Sequence, residues 1–272
     1  MHERPHRAPL GHLPALLIVG VVLIDEHPIM NISRKAVLVT GANRGIGSVL
    51  VEAFVAAGAG HVYAASREPA GGSSHPNVIP ITLDVTDPDQ IAAAAKRCGD
   101  VVILVNNAGI ALNEPLIAAT DPSAAEREMR VNFFGTLNMC RAFAPIIKRR
   151  GGGAIVNLVS ILGRVPLPQA GSYSASKAAV YSLTQSIRGE LAGQRTLVVA
   201  VLPGFVDTEM AKAFAGPKLT AQEVARSVID ALHTETEDVY PGAAAGIAAE
   251  LQRDPKAVER QFAGFGGAAS HA

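Results

Sequence analysis

From residue 36 onward the chain alternates short β-branched, apolar runs with longer stretches whose apolar side chains recur at three- and four-residue spacing. The short runs are AVLVT (36–40), HVYAAS (61–66), VIPITL (78–83), VVILV (101–105), AIVNLVS (154–160) and TLVVAVL (196–202). Several are apolar on both faces, as strands covered on both sides must be. The stretches 45–57, 88–97, 123–149, 173–192 and 220–233 carry helical spacing of Ala, Leu, Ile and Val. Such alternation predicts βα units, and right-handed crossovers then require an α/β fold with a doubly wound parallel sheet flanked by helices. The stretch 123–149 is long for one crossover, so its helix is expected to start irregularly and to offer an outer face as an interface. Loops or a frayed end are expected at GGSSHP (71–76), GGG (151–153) and the terminal GFGGAAS.

Composition narrows the class. The 272 residues carry 24 Lys plus Arg against 24 Asp plus Glu, so neither a nucleic-acid groove nor a polybasic membrane patch is expected. Apolar residues make up 49% and charged ones 18%, enough to bury one sizeable core and to exclude global disorder. Two distant cysteines, Cys98 and Cys140, form no disulfide framework, which points to a reducing cytoplasm. Residues 1–29 differ from the rest, with four of the eight histidines and an apolar run at 13–24. That run is broken by Pro14 and Gly20 and falls short of the about 20 residues a membrane span needs, so stable membrane insertion is not expected. Arg4 and Arg7 ahead of it resemble a secretory leader, but no A-x-A cleavage site follows. The reading adopted is an extension over 1–29, or a start assigned too early, ahead of a single domain over 30–272 that opens at Met30.

The first strand runs straight into GANRGIG and then into a helical pattern. Gly41, Gly45 and Gly47 there let an anion approach backbone N–H groups and a helix N-terminus, so the context predicts a nucleotide pyrophosphate site. Further along stand NNAG (106–109), Ser160 at the end of the fifth strand, and YSASK, which places Tyr173 and Lys177 four apart on one helix face. With these motifs the chain resembles the single-domain branch of the short-chain dehydrogenase/reductase family over about 35–240, including PGFVDT at 203–208. The resemblance implies a Rossmann-like fold and a catalytic set of Asn132, Ser160, Tyr173 and Lys177. It further implies a cofactor site of Gly41, Asn43, Arg44, Gly45, Ile46, Gly47, Ser66, Arg67, Asp84, Val85, Asn107, Ala108, Gly109, Tyr173, Lys177, Pro203, Gly204, Val206 and Thr208. NNAG is expected to steady the central sheet, and Asn132 to hold water linking Lys177 to solvent. A homodimer or homotetramer through the helices at 123–149 and 173–192 also follows from it.

A phenol near pKa 10 serves as a base at neutrality only if its anion is stabilised by roughly 4 kcal/mol, and Lys177 with a positive nicotinamide is the expected source. Ser160 would bind the substrate oxygen that gains or loses the proton. Taken singly, Tyr173 is a half-buried helix tyrosine, Ser160 a cap and Asn132 a satisfied helix polar; their joint spacing carries the argument. An NAD site usually ends its second strand in Asp or Glu, whereas here Ser66 and Arg67 stand there and Arg44 sits in the loop, so NADP(H) is expected over NAD(H). Asp84 or Asp87 has the alternative use of capping the next helix. No metal is expected, since neither cysteine has a His-rich or CxxC setting.

The segments 161–172 and 205–219 would line the substrate mouth. Leu162, Val165, Leu167, Met210 and Phe214 suggest an apolar small-molecule carbonyl or alcohol, with Arg164 the one anion handle in the first segment. Rival readings are a 3-oxoacyl thioester reductase, a non-catalytic NADP-sensing protein, and a lyase or epimerase. The tail is expected to hold a helix through DPKAVERQF that covers either the site or a neighbouring subunit.

Overall fold

The structure is a computed structural model, and it describes residues 30–68, 75–212, 214 and 216–265. The leader, most of GGSSHP and the terminal GGAAS lie outside the described residues. In chain order the elements are β1 (Ala36–Thr40), α1 (Gly45–Ala56), β2 (His61–Ser66), β3 (Val78–Thr82), α2 (Pro88–Arg97), β4 (Val101–Asn106) and α3 (Ala124–Glu128). A π-helical stretch (Met129–Gly135) continues into α4 (Thr136–Arg149), followed by β5 (Gly153–Leu158), α5 (Gly171–Leu191) and β6 (Thr196–Val201). The chain closes with α6 (Ala221–Thr234), β7 (Asp238–Val239), α7 (Ala244–Arg253) and α8 (Pro255–Gly264).

All seven strands pair in parallel in the order β3-β2-β1-β4-β5-β6-β7. Every residue of β1 and β5 is buried because helices cover both faces. On one face Leu50 and Phe54 of α1 meet Val224, Val228 and Leu232 of α6 across β1, β4 and β6. On the other, Ile91 and Ala94 of α2 pack with Met139, Phe143 and Ile147 of α4 and with Ile187 of α5. Truncating a fully buried phenylalanine such as Phe54 or Phe143 costs about 3–5 kcal/mol, so these two anchor the layers. Capping fixes where the helices begin. Asp87 accepts from the backbone N–H groups of Asp89 and Gln90 ahead of Pro88, and Thr220 forms a reciprocal box with Glu223.

The sheet order reverses between β1 and β4, leaving a crevice at their carboxyl ends. The irregular start expected in 123–149 is real, because α3 passes through a full π-helical stretch before α4. Strand β7, two residues long, carries no readable periodicity and was not expected. The tail does form a helix over DPKAVERQF. Val258 and Phe262 of α8 pack with Ala244 of α7 against Ile161, Leu162, Val165, Leu167 and Ala170, so the tail roofs the 161–170 segment of its own chain. No helix among the described residues is long and apolar enough to cross a membrane.

Candidate active site

Strand β1 delivers the glycine loop, and three glycines fix its shape. Gly41 and Gly45 adopt φ of +64° and +56°, which L side chains rarely take. A Cβ on Gly47 would stand 2.6 Å from Asn107 Nδ2 and closer still to the Gly41 carbonyl oxygen, so the first turn of α1 lies against the loop with no room for a side chain. Arg44, the residue before α1, supplies no side-chain cap, and the first N–H groups of that helix are left to another acceptor.

The loop is tied to the next strand through Thr40. Its hydroxyl donates to the Val105 carbonyl (3.3 Å) and accepts from the N–H groups of Asn107 and Ala108 (3.0 Å each). Asn107 in turn donates through Nδ2 to the carbonyls of Thr40 (2.9 Å) and Gly41 (3.1 Å). Sequence reasoning did not single out Thr40, and the two asparagines of NNAG divide their work. Asn107 locks the loop, while Asn106 donates to Asn157 Oδ1 on β5 (2.9 Å), whose Nδ2 donates to Thr184 of α5 (2.9 Å).

The four side chains expected to carry the chemistry converge beside this cradle. Ser160 follows β5, caps a short 3-10 turn by accepting from Leu162 N–H (3.1 Å), and has its hydroxyl near enough to the Tyr173 phenol to lower that group's proton affinity. Lys177 is 5% exposed, donates from Nζ to the Leu158 carbonyl (2.7 Å) and lies 5.7 Å from the centre of the Tyr173 ring. Asn132 sits in the π-helical stretch. It exchanges hydrogen bonds with the backbone of Ile110 (2.9 Å each way) and donates to Ser176 Oγ (2.9 Å), which donates to the Tyr173 carbonyl (2.7 Å). A Cβ on Gly109 would come within 3.1 Å of Asn132 Oδ1 and 3.6 Å of Lys177 Nζ, so this glycine keeps the floor of the site open.

Burial pushes the Tyr173 phenol above its ordinary value, the Ser160 hydrogen bond opposes that rise, and the charge of Glu128 adds to it. Burial pulls Lys177 down to about 8. Lys177 Nζ is held by the Leu158 carbonyl.

The remaining expected cofactor residues lie at strand carboxyl ends around the same crevice. Ser66 is buried and Arg67 exposed after β2, and Arg44 and Asn43 are exposed on the loop. Among the described residues neither arginine enters an ion pair. Asp84 accepts from the Thr86 N–H and hydroxyl (2.8 and 2.7 Å), leaving the capping of α2 to Asp87. Val85 is buried against Gly135, Ile46 is half-buried, and Pro203, Gly204 and Val206 follow β6. Thr208 lies opposite Gly45, where a Cβ would be 3.4 Å from its methyl. This cradle fits a dinucleotide, since glycines stand where a pyrophosphate must pass, with exposed Arg44 in the glycine loop and exposed Arg67 after β2.

The mouth differs from expectation. Leu162, Val165 and Leu167 are buried in the small core beneath α7 and α8 and do not face an opening. Phe214 stacks on Phe205 with centroids 4.6 Å apart, and Met210 is exposed. Arg164 is not a free anion handle, because it donates to Tyr240 Oη (2.6 Å) and lies over the Tyr181 ring. Among the described residues no group of three His, Cys, Asp or Glu is placed to hold a metal.

Similarity to known proteins agrees with this geometry. Residues 35–218 match the short chain dehydrogenase family. A short chain dehydrogenase of Monascus purpureus is 38% identical over 209 residues, 69% of this chain and 72% of that protein. Galactitol 2-dehydrogenase (L-tagatose-forming) of Cereibacter sphaeroides is 40% identical, over 69% and 77%. A short chain dehydrogenase from Burkholderia cenocepacia, solved in complex with NADP, is 45% identical, with a TM-score of 0.83 over 86% of this chain and 99% of that one. A relative from Burkholderia phymatum, solved with NAD, superposes at 0.73 with 25% identity. A glycine cradle at the sheet reversal, buried Ser160 and Lys177 beside a half-buried Tyr173, and this breadth of similarity have one reading: the chain is an oxidoreductase of the short-chain dehydrogenase/reductase family, whose members work with a nicotinamide cofactor.

Proposed function

We propose that the protein is an NADP(H)-dependent enzyme interconverting a carbonyl and an alcohol on a mainly apolar small molecule, within one domain over 30–272. The observation that carries this reading is the convergence of Ser160, Tyr173, Lys177 and Asn132 on the floor kept open by Gly109. The bound cofactor supplies or accepts a hydride at the substrate carbon. Ser160 holds the substrate oxygen, and Tyr173, kept protonated by its surroundings, donates the proton to that oxygen in the reducing direction. Lys177 binds the nicotinamide ribose and, with Asn132 and its water, returns a proton to the phenol.

Gly41, Gly45 and Gly47 admit the pyrophosphate, with Asn43 and Ile46 beside it. Asp84 and Val85 border the adenine. Asn107, Ala108, Gly109, Pro203, Gly204, Val206 and Thr208 surround the nicotinamide half. Arg44 and Arg67 take the 2′-phosphate, and the absence of an acid at Ser66 supports NADP(H) over NAD(H). Arg164 being occupied supports an uncharged, apolar substrate. A cytoplasmic setting and a homodimer or homotetramer belong to the same reading, the second supported by Phe134, 50% exposed where the π-helical stretch meets α4. Light scattering that returns a monomeric mass removes the oligomer.

The test is fluorescence titration with NADPH and NADH, followed by nicotinamide absorbance with apolar ketones, aldehydes and quinones. NADPH is expected to bind more tightly, with turnover that Tyr173→Phe abolishes while binding persists. Equal turnover by Tyr173→Phe, or no binding of either cofactor, removes the reading.

A further inference from the structure

At the amino ends of the strands, the edge of the sheet opposite the cofactor crevice, a second and strongly polar cavity of about 380 Å³ opens between β2, β1, β4 and the end of α4. Strand register builds it. Ala36, the first residue of β1, pairs with His61 on one side and with Val101 on the other, so the turn carrying Arg34 and Lys35 arrives beside His61 and Asp100. Helix α4 ends at the same edge, because β5 follows it within a few residues and pairs with β4, and Arg149 and Arg150 come with it. Four fixed cations thus line one cavity together with a single carboxylate.

That carboxylate is already engaged within the protein. Asp100 Oδ1 accepts from the Tyr63 hydroxyl (3.0 Å), and Oδ2 faces His61 Nε2 (3.0 Å). The cations have no such partner: among the described residues none of the four enters an ion pair or a side-chain hydrogen bond. With 24 basic against 24 acidic residues the chain as a whole is balanced, so this excess is a local arrangement and not a drift of composition. Basic residues at a helix C-terminus have the ordinary use of meeting its dipole, and Arg149 and Arg150 fit that use. Arg34 and Lys35 belong to no helix, and Arg34 holds a left-handed φ of +60° that a glycine would take at less cost. A recess lined by one sign of charge concentrates the opposite ion.

We propose that this cavity is a second anion site, taking the phosphate or pyrophosphate group of a soluble small molecule other than the nicotinamide cofactor. The two sites lie at opposite ends of the same strands, so the proposal stands apart from the oxidoreductase reading. Three arginines from two elements let one phosphate be gripped from two sides by planar, bidentate donors, with Lys35 adding a point charge. The volume falls inside the roughly 300–1,000 Å³ of ligand sites and holds a diphosphate group. None of the side chains placed in the reaction lines the cavity, so its function is binding, and a ligand there joins the turn before β1 to the end of α4.

The test is calorimetric titration of the full chain with inorganic pyrophosphate at constant ionic strength, with NADPH saturating so that the glycine cradle is filled. One pyrophosphate per chain is expected to bind. Arg149→Gln and Arg34→Gln, one from each element, are each expected to weaken it about tenfold, the worth of one charge-assisted hydrogen bond, with NADPH affinity unchanged. Arg253→Gln removes the same charge from α7, away from the cavity, and is expected to stay within about twofold of the parent. All three side chains are exposed, so folding is not at stake. Absence of heat with pyrophosphate overturns the proposal, and so does an Arg253→Gln loss equal to that of Arg149→Gln, which marks unspecific charge. Pyrophosphate that NADPH displaces sits in the cradle, and this too overturns it. Sedimentation with phosphatidylserine vesicles, with no pyrophosphate bound, overturns it in favour of a lipid surface. If NADPH itself does not bind, the oxidoreductase reading alone has failed, and the same variants decide the anion site on the unliganded chain.

Discussion

Replacing Gly47 by alanine tests the cradle at its tightest point. The new Cβ would lie 2.6 Å from Asn107 Nδ2 and 2.8 Å from the Gly41 carbonyl carbon, with the carbonyl oxygen nearer still. Both neighbours are fixed, since Asn107 spends its amide on Thr40 and Gly41 and its N–H on the Thr40 hydroxyl. Relief therefore requires α1 to shift or Asn107 to surrender two hydrogen bonds worth about 1 kcal/mol each, with a further 1–3 kcal/mol if the amide stays buried and unpaired. The expected loss of stability is about 2–5 kcal/mol, with NADPH affinity falling at least about tenfold because the same shift moves the pyrophosphate seat. Gly45→Ala strains a left-handed backbone but meets only the Thr208 methyl at 3.4 Å, so its cost is about 1–2 kcal/mol. Gly99→Ala finds nothing nearer than 3.7 Å and serves as the neutral comparison. Urea unfolding and NADPH fluorescence titration of the three read both quantities. A Gly47→Ala protein as stable and as tight-binding as Gly99→Ala would show that the close approach governs neither.

Further outcomes follow from other sites. Arg44→Ala and Arg67→Ala are each expected to weaken NADPH by about tenfold or more and NADH by much less, read by fluorescence titration; equal losses on both cofactors would remove the 2′-phosphate contact. Lys177 has its proton affinity lowered by burial from 10.5 to about 8, so between those pH values the unfolded chain holds more protons and stability rises with pH. That contribution, about 3 kcal/mol of penalty below pH 8 relieved by pH 10.5, disappears in Lys177→Met, so the two proteins' pH–stability curves should converge as the solution becomes alkaline. Burial pushes the Cys98 and Cys140 thiols up to about 12, and neither should react with a thiol reagent at neutral pH until denaturant is added.

Much of this was readable along the chain because periodicity reports burial. The runs at 36–40, 61–66 and 101–105 are strands since both their faces are apolar, and the glycine loop announces itself because an anion seat needs absent side chains. Tyr173, Lys177, Ser160 and Asn132 were legible by spacing, although their hydrogen bonds were not. What stayed hidden depends on tertiary partners. Thr40 reads as an ordinary strand end, and only the return of β4 makes it a hub. Glu128 sits in AAEREMR beside the exposed Glu126 and Arg127, so its own burial has no local sign. Leu162, Val165 and Leu167 looked like a mouth because nothing in the loop reveals that α7 and α8 cover it. The Leu158 carbonyl that holds Lys177 Nζ is likewise set by the fold and has no sign in YSASK itself.

The small core beneath α7 and α8 shares none of its buried side chains with the two large ones flanking the sheet. Cohesion in the roof and cohesion in the sheet are thus set by different residues. Substitutions at Val258 or Phe262 are expected to loosen the cover over residues 161–170 while the strands of the sheet keep their own packing. The separation ends at Tyr173, which itself packs against this small core, so a change in the roof reaches the candidate site through that one ring while the strands are spared.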